Sequence, residues 1–377
     1  MKSIILILLF LLTSCLPQGN IELAVPQRLD DNWTISTPEQ EGFDQQRLEQ
    51  IIGEIPVKNP KLDGIVIARH GKLVVDQYFN GYSPIELHKI WSITKMITST
   101  LLGIAMDQEL LSVKDSIHQH LSDYLTSPLS SKRNITIEHL ITMTSGLEWV
   151  ELGGPKSTGG QLPYASDWID FILDQPLTQP PGEVFNYSTG NTMLLAPIIK
   201  SGTGREARDF AKTHLFDRLG IEHYEWDTQS EFWTKTQNGE IPGGKPPLTL
   251  DYKEPFADYT NTGTGLRMRP RDLCKFGQLH LAKGRWDNHQ IVSKDWIEAS
   301  TQPHFGNNEY GYHWRLMKMQ DIACFYATGF GLQRIFVFPE LELVIVMIQQ
   351  HYRTMSKGRT LTNQLLEDIL MTISLNS

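Results

Sequence analysis

The chain has 377 residues and a formal net charge of −9 at pH 7, with 40% hydrophobic and 20% charged residues. These fractions are typical of a folded globular protein of one large or two ordinary domains, and the acidic excess argues against non-specific nucleic-acid binding. After the first few residues, no apolar run is long enough to span a bilayer. Cys274 and Cys324 are too few for a disulfide framework, and their spacing leaves open whether they pair.

The first 15 residues have the layout of a signal peptide. Lys2 precedes an apolar run over 4–12, which is too short for a transmembrane helix, and small residues lead to Cys15. The four residues ending at Cys15 resemble a bacterial lipobox, in which the cysteine is lipidated, and Leu16 after it favours the outer membrane. An ordinary cleaved signal with an accidental cysteine is the alternative. We expect a lipid-anchored protein of the bacterial cell envelope, on the periplasmic face of the outer membrane.

Hydrophobic spacing divides the rest of the chain into a tether over 16–36 and one folded domain over 37–377. Within the domain, apolar runs flank His70-Gly71, which is a hairpin signal. Strand patterns return only near the end of the chain. The predicted strands are 64–69, 72–78, 310–317, 322–327, 333–338 and 343–349. The predicted helices are 41–55, one opening at Ser92, 135–149, 191–200, 205–219, 270–283, 294–300 and 361–373; a surface loop is predicted over 153–163.

Strands at both ends with helices between them indicate an α/β (α+β) fold. One antiparallel sheet would be built from the two termini, and a large helical region, about 92–300, would be inserted into it.

A single lysine in an otherwise apolar helix is the first candidate for chemistry. Between Trp91 and Met106 the only formal charge is Lys95, and a helix that is apolar nearly all round is a buried one. Burial lowers the pKa of an unpaired lysine, which makes a neutral amine available near pH 7. Ser92 lies three residues earlier, on the same face, so its hydroxyl can meet the amine at the start of the helix, where the dipole favours negative charge. The alternative is Ser92 as a plain N-cap and Lys95 reaching the surface.

Two further motifs are candidates. Tyr187 lies in a short polar turn over 185–191, and a phenol near a lysine ammonium is easier to deprotonate, so Tyr187 can relay the Ser92 proton to a leaving group. The glycines of the stretch 326–333 mark a strand that another backbone or a ligand approaches closely. That strand can align an acyl group and offer an oxyanion N–H. The alternatives are a packing tyrosine and a β-bulge or hairpin corner.

The order of these motifs resembles the serine β-lactamase-related hydrolases, which include class C β-lactamases, DD-peptidases, family VIII esterases and 6-aminohexanoate-dimer hydrolases. The resemblance runs from about Trp33 to the C-terminus through WSITK, HLITMTSGLEW, FNYSTGNTMLL, GLRMRPRDLCKFGQLHL and YATGFGLQ. It implies a β-lactamase/transpeptidase-like fold and no metal or organic cofactor. By the same resemblance Ser92 is the nucleophile, Lys95 and Tyr187 are the general-base pair, and the oxyanion hole is formed by the N–H groups of Ser92 and Phe330.

Two positions depart from the family pattern. Thr189 stands where an asparagine often follows the tyrosine, and Ala327 precedes Thr328 and Gly329 where a lysine or histidine is common. A β-lactam carboxylate would lack both the cation and the amide that usually hold it. The departures therefore favour a neutral ester or amide.

The sequence thus predicts a lipid-anchored serine hydrolase that cleaves an ester or amide of a small molecule or short peptide through an acyl-enzyme on Ser92. Loops over 153–167 and 222–259 set the identity of that substrate, which sequence does not give. One alternative is a DD-peptidase or β-lactamase acting on peptidoglycan or β-lactams. Another is a non-catalytic binding lipoprotein, although a binder has no need of a buried amine beside a hydroxyl.

Overall fold

The computed structural model describes residues 23, 25–125, 131–239, 258–306 and 309–374. The predicted signal peptide with Cys15 lies outside this set. Residues 240–257 of the predicted loop 222–259 also lie outside it. Within the described residues the strands are β1 Leu62–Arg69, β2 Lys72–Tyr78, β3 His88–Lys89, β4 Tyr224–Trp226, β5 Leu266–Met268, β6 Arg285–Trp286, β7 His289–Gln290, β8 Arg315–Met319, β9 Ile322–Gly329, β10 Gln333–Phe338 and β11 Leu343–Gln349.

Helices account for most of the chain between β3 and β8. The α-helices are α1 Gln45–Gly53, α2 Ile55–Lys58, α3 Thr94–Asp107, α4 Ile117–His120, α5 Ile137–Ile141, α6 Thr158–Gln161, α7 Trp168–Asp174, α8 Thr189–Met193, α9 Leu195–Thr203, α10 Ala207–Ala211, α11 Asp217–Leu219, α12 Gln229–Gln237, α13 Pro270–Leu281, α14 Lys294–Ser300 and α15 Met355–Leu370. Short 3-10 helices cover Glu39–Glu41, Trp91–Ile93, Ser131–Asn134, Gly154–Lys156, Leu162–Tyr164 and Pro339–Leu341, and a π-helix covers Lys212–Phe216.

The main sheet joins the two ends of the folded chain, as predicted. Its six strands lie in the order β2-β1-β11-β10-β9-β8, and every pair is antiparallel. β1 from the N-terminal part pairs with β11 from the C-terminal part, with Val66 opposite Val346. The expected antiparallel sheet with an inserted helical region is therefore confirmed.

The sheet is covered on both faces, which explains its nearly continuous apolar strands. Every residue of β1, β10 and β11 is buried. One face packs against α1 and α15, with Leu48 and Leu366 in that core, and the other packs against α13 and the helical region, with Phe276 in the larger core. A strand buried on both faces gains from apolar residues at every position instead of at alternate ones.

Helix α3 is the centre of the helical region. Twelve of its 14 residues are buried, because apolar or small side chains surround it on every side. At Gly103 a Cβ atom would lie 2.4 Å from the ring of Trp296, so only glycine permits this approach to α14. The helix is preceded directly by the 3-10 turn Trp91–Ile93, which holds Ser92.

Several predicted boundaries are wrong. The predicted helix 135–149 ends at Ile141, because Met143 and Gly146 take left-handed φ angles of 61° and 78° and turn the chain. The predicted helices 191–200 and 205–219 are each divided into shorter pieces, and the last helix begins at Met355, earlier than position 361. A small sheet of β3, β5 and β4 takes β4 and β5 from the region expected to be helical.

The last part of the predicted tether packs against the folded body. Asp31, Trp33 and Ser36 are buried, and Asp31 forms an ion pair of 2.6 Å with Arg271 of α13. Cys274 and Cys324 are both buried free thiols. No helix in the described part of the chain is long and apolar enough to cross a membrane.

Candidate active site

Ser92 lies half-buried in the 3-10 turn at the start of α3. The preceding residue, Trp91, has a left-handed φ of 52°, which costs a bulky residue about 1–3 kcal/mol. Its ring packs edge-on against Phe330, with the ring centroids 5.4 Å apart. The strained residue therefore fixes the direction in which the chain enters α3, and with it the position of Ser92.

Lys95 is fully buried one helical turn after Ser92. Its Nζ atom donates to Ser92 Oγ at 3.2 Å, to Thr189 Oγ1 at 3.0 Å and to the carbonyl oxygen of Gly263 at 2.9 Å. An ammonium has three N–H donors, and here each one has an acceptor. The alternative in which Lys95 reaches the surface is excluded, and so is Ser92 as the N-cap of α3, since Ile93 occupies that position.

The pKa of Lys95 is lowered to about 8. Burial is the largest cause; the carboxylate of Glu151 raises the pKa, and the guanidinium of Arg315 lowers it. At neutral pH a useful fraction of the amine is neutral and can accept a proton. The direction predicted from the apolar surroundings of Lys95 is thus confirmed.

Tyr187 lies next to both Ser92 and Lys95. Its ring centroid lies 5.5 Å from Lys95 Nζ. Burial, and after it the Glu151 carboxylate, raise the pKa of Tyr187 above its ordinary value, while a hydrogen bond with Ser92 and the charge of Arg315 lower it by less. The expectation that the phenol is easier to deprotonate is therefore wrong, because burial outweighs the nearby cations. Tyr187 is a neutral hydroxyl at neutral pH.

Thr189 begins helix α8, for which Ser188 is the N-cap through a hydrogen bond from Asn191 N. The turn directs the Thr189 hydroxyl toward Lys95 on one side and toward Glu151 on the other. The backbone at Gly263, whose carbonyl accepts from Lys95, lies close to Thr189. Only glycine allows this approach, since a Cβ there would lie 2.8 Å from Thr189 Cγ2.

Glu151 is a residue that the sequence interpretation missed. Its carboxylate accepts hydrogen bonds from Trp149 Nε1 at 2.6 Å, from Thr189 N at 2.8 Å and from the Thr189 hydroxyl. Glu151 follows the HLITMTSGLEW stretch, just before the predicted loop, and a lone acidic residue in such a stretch carries no signal. Only the fold brings it to Thr189.

Arg315, the first residue of β8, is the second missed residue. Its guanidinium carbon lies 5.3 Å from the ring centroid of Tyr187 and 5.5 Å from that of Tyr310, and among the described residues it forms no ion pair. Arg315 is therefore a cation beside Tyr187 that the reasoning from Ala327 did not include. Ala327 of β9 is buried and carries no charge. The cation comes from Arg315, on the neighbouring strand β8.

The late strand motif lies beside the start of α3. A Cβ atom on Gly329 would lie 2.2 Å from the carbonyl oxygen of Ile90, so the end of β9 touches the backbone two residues before Ser92. Thr328 is half-buried in β9, and Phe330 follows the strand next to Trp91. The structure thus gathers the predicted residues Ser92, Lys95, Tyr187, Thr189, Thr328, Gly329 and Phe330 around one location. In the described residues no group of three or more His, Cys, Asp or Glu side chains is arranged to hold a metal ion.

The Beta-lactamase family profile matches residues 61–367, which include every residue of this site. The chain belongs to the Beta-lactamase family. Membership confirms the resemblance to the serine β-lactamase-related hydrolases and identifies a hydrolase of the esterase, amidase and β-lactamase type. It does not identify the bond that this member cleaves.

The relatives compared with this chain share about a quarter of its residues or fewer. Protein flp of Staphylococcus aureus (strain MW2) is 25% identical over 190 residues, 48% of this chain, and the match spans only 38% of that protein. Among solved structures, a candidate 6-aminohexanoate-dimer hydrolase from Bacillus anthracis has a TM-score of 0.67 at 20% identity, covering 93% of this chain and 85% of its own. EstCE1, a hydrolase with promiscuous acyltransferase activity, has a TM-score of 0.63 at 15% identity, covering 85% and 98%. These structures establish the β-lactamase/transpeptidase-like fold.

Proposed function

We propose that this protein hydrolyses an ester or amide through an acyl-enzyme on Ser92. The observation that carries the proposal is the 3.2 Å contact between Lys95 Nζ and Ser92 Oγ, made by a buried amine with a pKa of about 8. A buried amine held at this distance from a half-exposed hydroxyl is an activated nucleophile of the kind that acyl transfer requires.

The proton transfers follow from the protonation states. Neutral Lys95 accepts the Ser92 proton as Oγ attacks the carbonyl carbon and the C=O electrons move to oxygen. Tyr187, a neutral phenol hydrogen-bonded to Ser92, passes a proton to the departing alkoxide or amine and regains one from Lys95. A water molecule then attacks the acyl carbon along the reverse proton path, which releases the carboxylic acid and restores Ser92.

Two backbone N–H groups, those of Ser92 and Phe330, are proposed as the oxyanion hole. Support comes from the close approach of β9 to the Ile90 carbonyl and from the position of Ser92 at the N-terminal end of α3. The helix end favours the negative charge that develops on the carbonyl oxygen. Thr328 and Gly329 would align the acyl group along β9.

The neutral-substrate preference rested on the absence of a cation at Ala327 and of an amide at Thr189, and Arg315 removes the first of these two arguments. A guanidinium without an ion-pair partner among the described residues can hold a carboxylate. This observation favours, as a second candidate, a β-lactamase or DD-peptidase, whose substrates carry a carboxylate. A neutral ester and a β-lactam therefore have to be compared directly.

We also propose that the protein is lipid-anchored through Cys15 in the bacterial cell envelope, on the periplasmic face of the outer membrane. The lipobox-like sequence ending at Cys15 supports this location. Cys15→Ser should move the protein from the membrane fraction to the soluble fraction; unchanged membrane association would remove the basis for the anchor.

The experiment uses protein lacking residues 1–19, assayed with p-nitrophenyl acetate, p-nitrophenyl butyrate and nitrocefin. Ser92→Ala should abolish turnover and labelling by a fluorophosphonate probe. Ser99→Ala is the matched control, because Ser99 lies in α3, the helix that follows Ser92, and its buried hydroxyl has no hydrogen-bond partner among the described residues. It should leave turnover unchanged.

The outcomes separate the candidates. Ester turnover that requires Ser92, without nitrocefin turnover, supports the ester or amide hydrolase. Fast nitrocefin turnover makes the β-lactamase the better assignment. Turnover and labelling that survive in Ser92→Ala would exclude Ser92 as the nucleophile, and neither activity nor labelling in the unaltered protein would favour a binding lipoprotein.

A further inference from the structure

The hydrogen bonds around Lys95 have a fixed direction. The Gly263 carbonyl can only accept, so it takes one N–H of Lys95. The Thr189 hydroxyl can donate or accept, but its proton is directed to the Glu151 carboxylate, which can only accept. Thr189 Oγ1 is therefore left to accept from Lys95. Two of the three tetrahedral directions on Nζ thus face groups that can only accept here, the Gly263 carbonyl and Thr189 Oγ1. The third direction faces Ser92 Oγ, whose hydroxyl can also donate.

We propose that Glu151 is a positioning residue of this hydrolase: its carboxylate fixes the Thr189 hydroxyl as an acceptor, so that the lone pair of neutral Lys95 can face only Ser92. If the lone pair pointed at Thr189 or Gly263, it would meet another lone pair. A base aimed at the nucleophile is thereby set before substrate binds. The inference rests on the proposed function of Ser92 and Lys95.

The carboxylate is itself held, so it is not free to bind substrate. Glu151 accepts from Trp149 Nε1 and from the N–H of Thr189 at the start of α8. These two donors hold the carboxylate in place while the Thr189 hydroxyl donates to it. Loss of the charge would free that hydroxyl to turn its proton toward Lys95 and capture the lone pair.

The groups around Lys95 determine which of them can change protonation near pH 8. Besides Glu151, the groups that face it are Tyr187, His313 and Arg315, and Tyr310 packs against the ring of Tyr187. Burial raises the pKa values of Tyr187 and Tyr310, and burial together with Lys95 lowers the pKa of His313 well below its usual range. These three groups stay neutral across pH 6 to 9. Burial also lowers the pKa of Lys89, to about 7, and its ammonium lies over the Trp91 ring. A change near pH 8 is therefore assigned to Lys95 only where it is lost in Lys95→Ala.

The test compares Glu151→Gln with Glu148→Gln, a matched change at an exposed glutamate three residues earlier. A glutamine has no charge and can donate its amide N–H to Thr189. For ester hydrolysis by Glu151→Gln we expect a plateau kcat lower by about 10- to 100-fold, because the base is misdirected. The acid limb of kcat/KM should move to lower pH, because the anion that raises the pKa of Lys95 is gone. Glu148→Gln should match the unaltered protein in both.

A double variant tests the route through Thr189. Thr189→Val removes the hydroxyl with little change of shape and should also lower the plateau, and Thr189→Ser should recover most of that loss. In Thr189→Val the added Glu151→Gln should lower the plateau no further. If the two reductions in plateau kcat multiply in the double variant, Glu151 does not act through Thr189. A normal plateau in Thr189→Val would overturn the route as well, and this result does not require that Glu151→Gln folds.

Direct titration of Lys95 keeps this inference separate from the proposed function. With 13Cε-labelled lysine, NMR should give a midpoint near 8 in the unaltered protein and a lower one in Glu151→Gln. An unchanged midpoint together with an unchanged plateau overturns the role of Glu151. Turnover that does not need Ser92 overturns the proposed function instead, and the NMR comparison still decides for or against Glu151.

Discussion

A single buried amine determines what the site can do at neutral pH. At its ordinary pKa of 10.5, only about one lysine in 3,000 is neutral at pH 7, whereas at a pKa of about 8 the fraction is about one in ten. Burial of Lys95 among α3, Thr189 and Gly263 thus raises the supply of base by more than two orders of magnitude. The same burial keeps Tyr187 protonated, so the two members of the pair have different tasks.

A pH profile tests this division at the residue scale. Protonation inactivates the base, so kcat/KM for p-nitrophenyl butyrate should rise through pH 8 and level off above it, with half of the plateau near pH 8. Lys95→Ala should lose both the plateau and this break. A flat profile from pH 6 to 9, in protein whose turnover still needs Ser92, would mean that Lys95 is not the base.

At the scale of elements, the site lies where β9 meets the start of α3. The 3-10 turn Trp91–Ile93 is fixed by the left-handed φ of Trp91 and by the packing of its ring against Phe330. Gly329 brings the end of β9 to the Ile90 carbonyl, a distance that no side chain permits. The proposed nucleophile and the proposed oxyanion donors are thus positioned by contact between a strand and the start of a helix.

Gly329→Ala tests that contact. The added methyl would lie 2.2 Å from a backbone oxygen, so β9 has to move away from Ser92. We expect a loss of about 1–3 kcal/mol in the free energy of unfolding, measured by urea denaturation, and a drop in kcat that is larger than the change in KM. Ala323→Ser, at an exposed position of the same strand, should change neither. Full activity in Gly329→Ala would show that β9 does not need this approach.

At the scale of the whole molecule, the sheet separates two apolar cores, and polar contacts connect the outer segments to it. Arg271 of α13 is fully buried and pairs with Asp31 at 2.6 Å and with Asp76 of β2 at 2.8 Å. One guanidinium thereby joins the N-terminal segment, a helix and an edge strand. Breaking a buried pair leaves carboxylates without a partner, which costs more than the pair itself gains.

Arg271→Met should therefore lower the free energy of unfolding by about 3–5 kcal/mol, since Asp31 and Asp76 remain buried without their ion-pair partner. Urea denaturation measures the loss. The matched control is Arg285→Met, because Arg285 is exposed and its side chain donates only to the Asn288 carbonyl among the described residues. Equal stability of the two variants would argue that the Arg271 pairs contribute nothing.

Much of the fold could be predicted from local pattern. β10, β11 and α14 begin and end at the predicted residues, because each is a compact run with clear turn or capping residues on either side. The helix 135–149 failed because Met143 and Gly146 turn the chain within a stretch that is buried like a helix. Apolar spacing does not distinguish a buried turn from a buried helix.

The sequence by itself determined the sheet built from two ends, the buried helix α3 and the residues Ser92, Lys95 and Tyr187, because periodicity and motif order are local properties of the chain. Only the tertiary structure decided what surrounds Lys95. Glu151 and Arg315 come from a loop and a strand far apart in sequence, and their distances to Lys95 and Tyr187 depend on how α8 and β8 pack. The protonation states follow from those distances and from burial, neither of which a one-dimensional pattern contains.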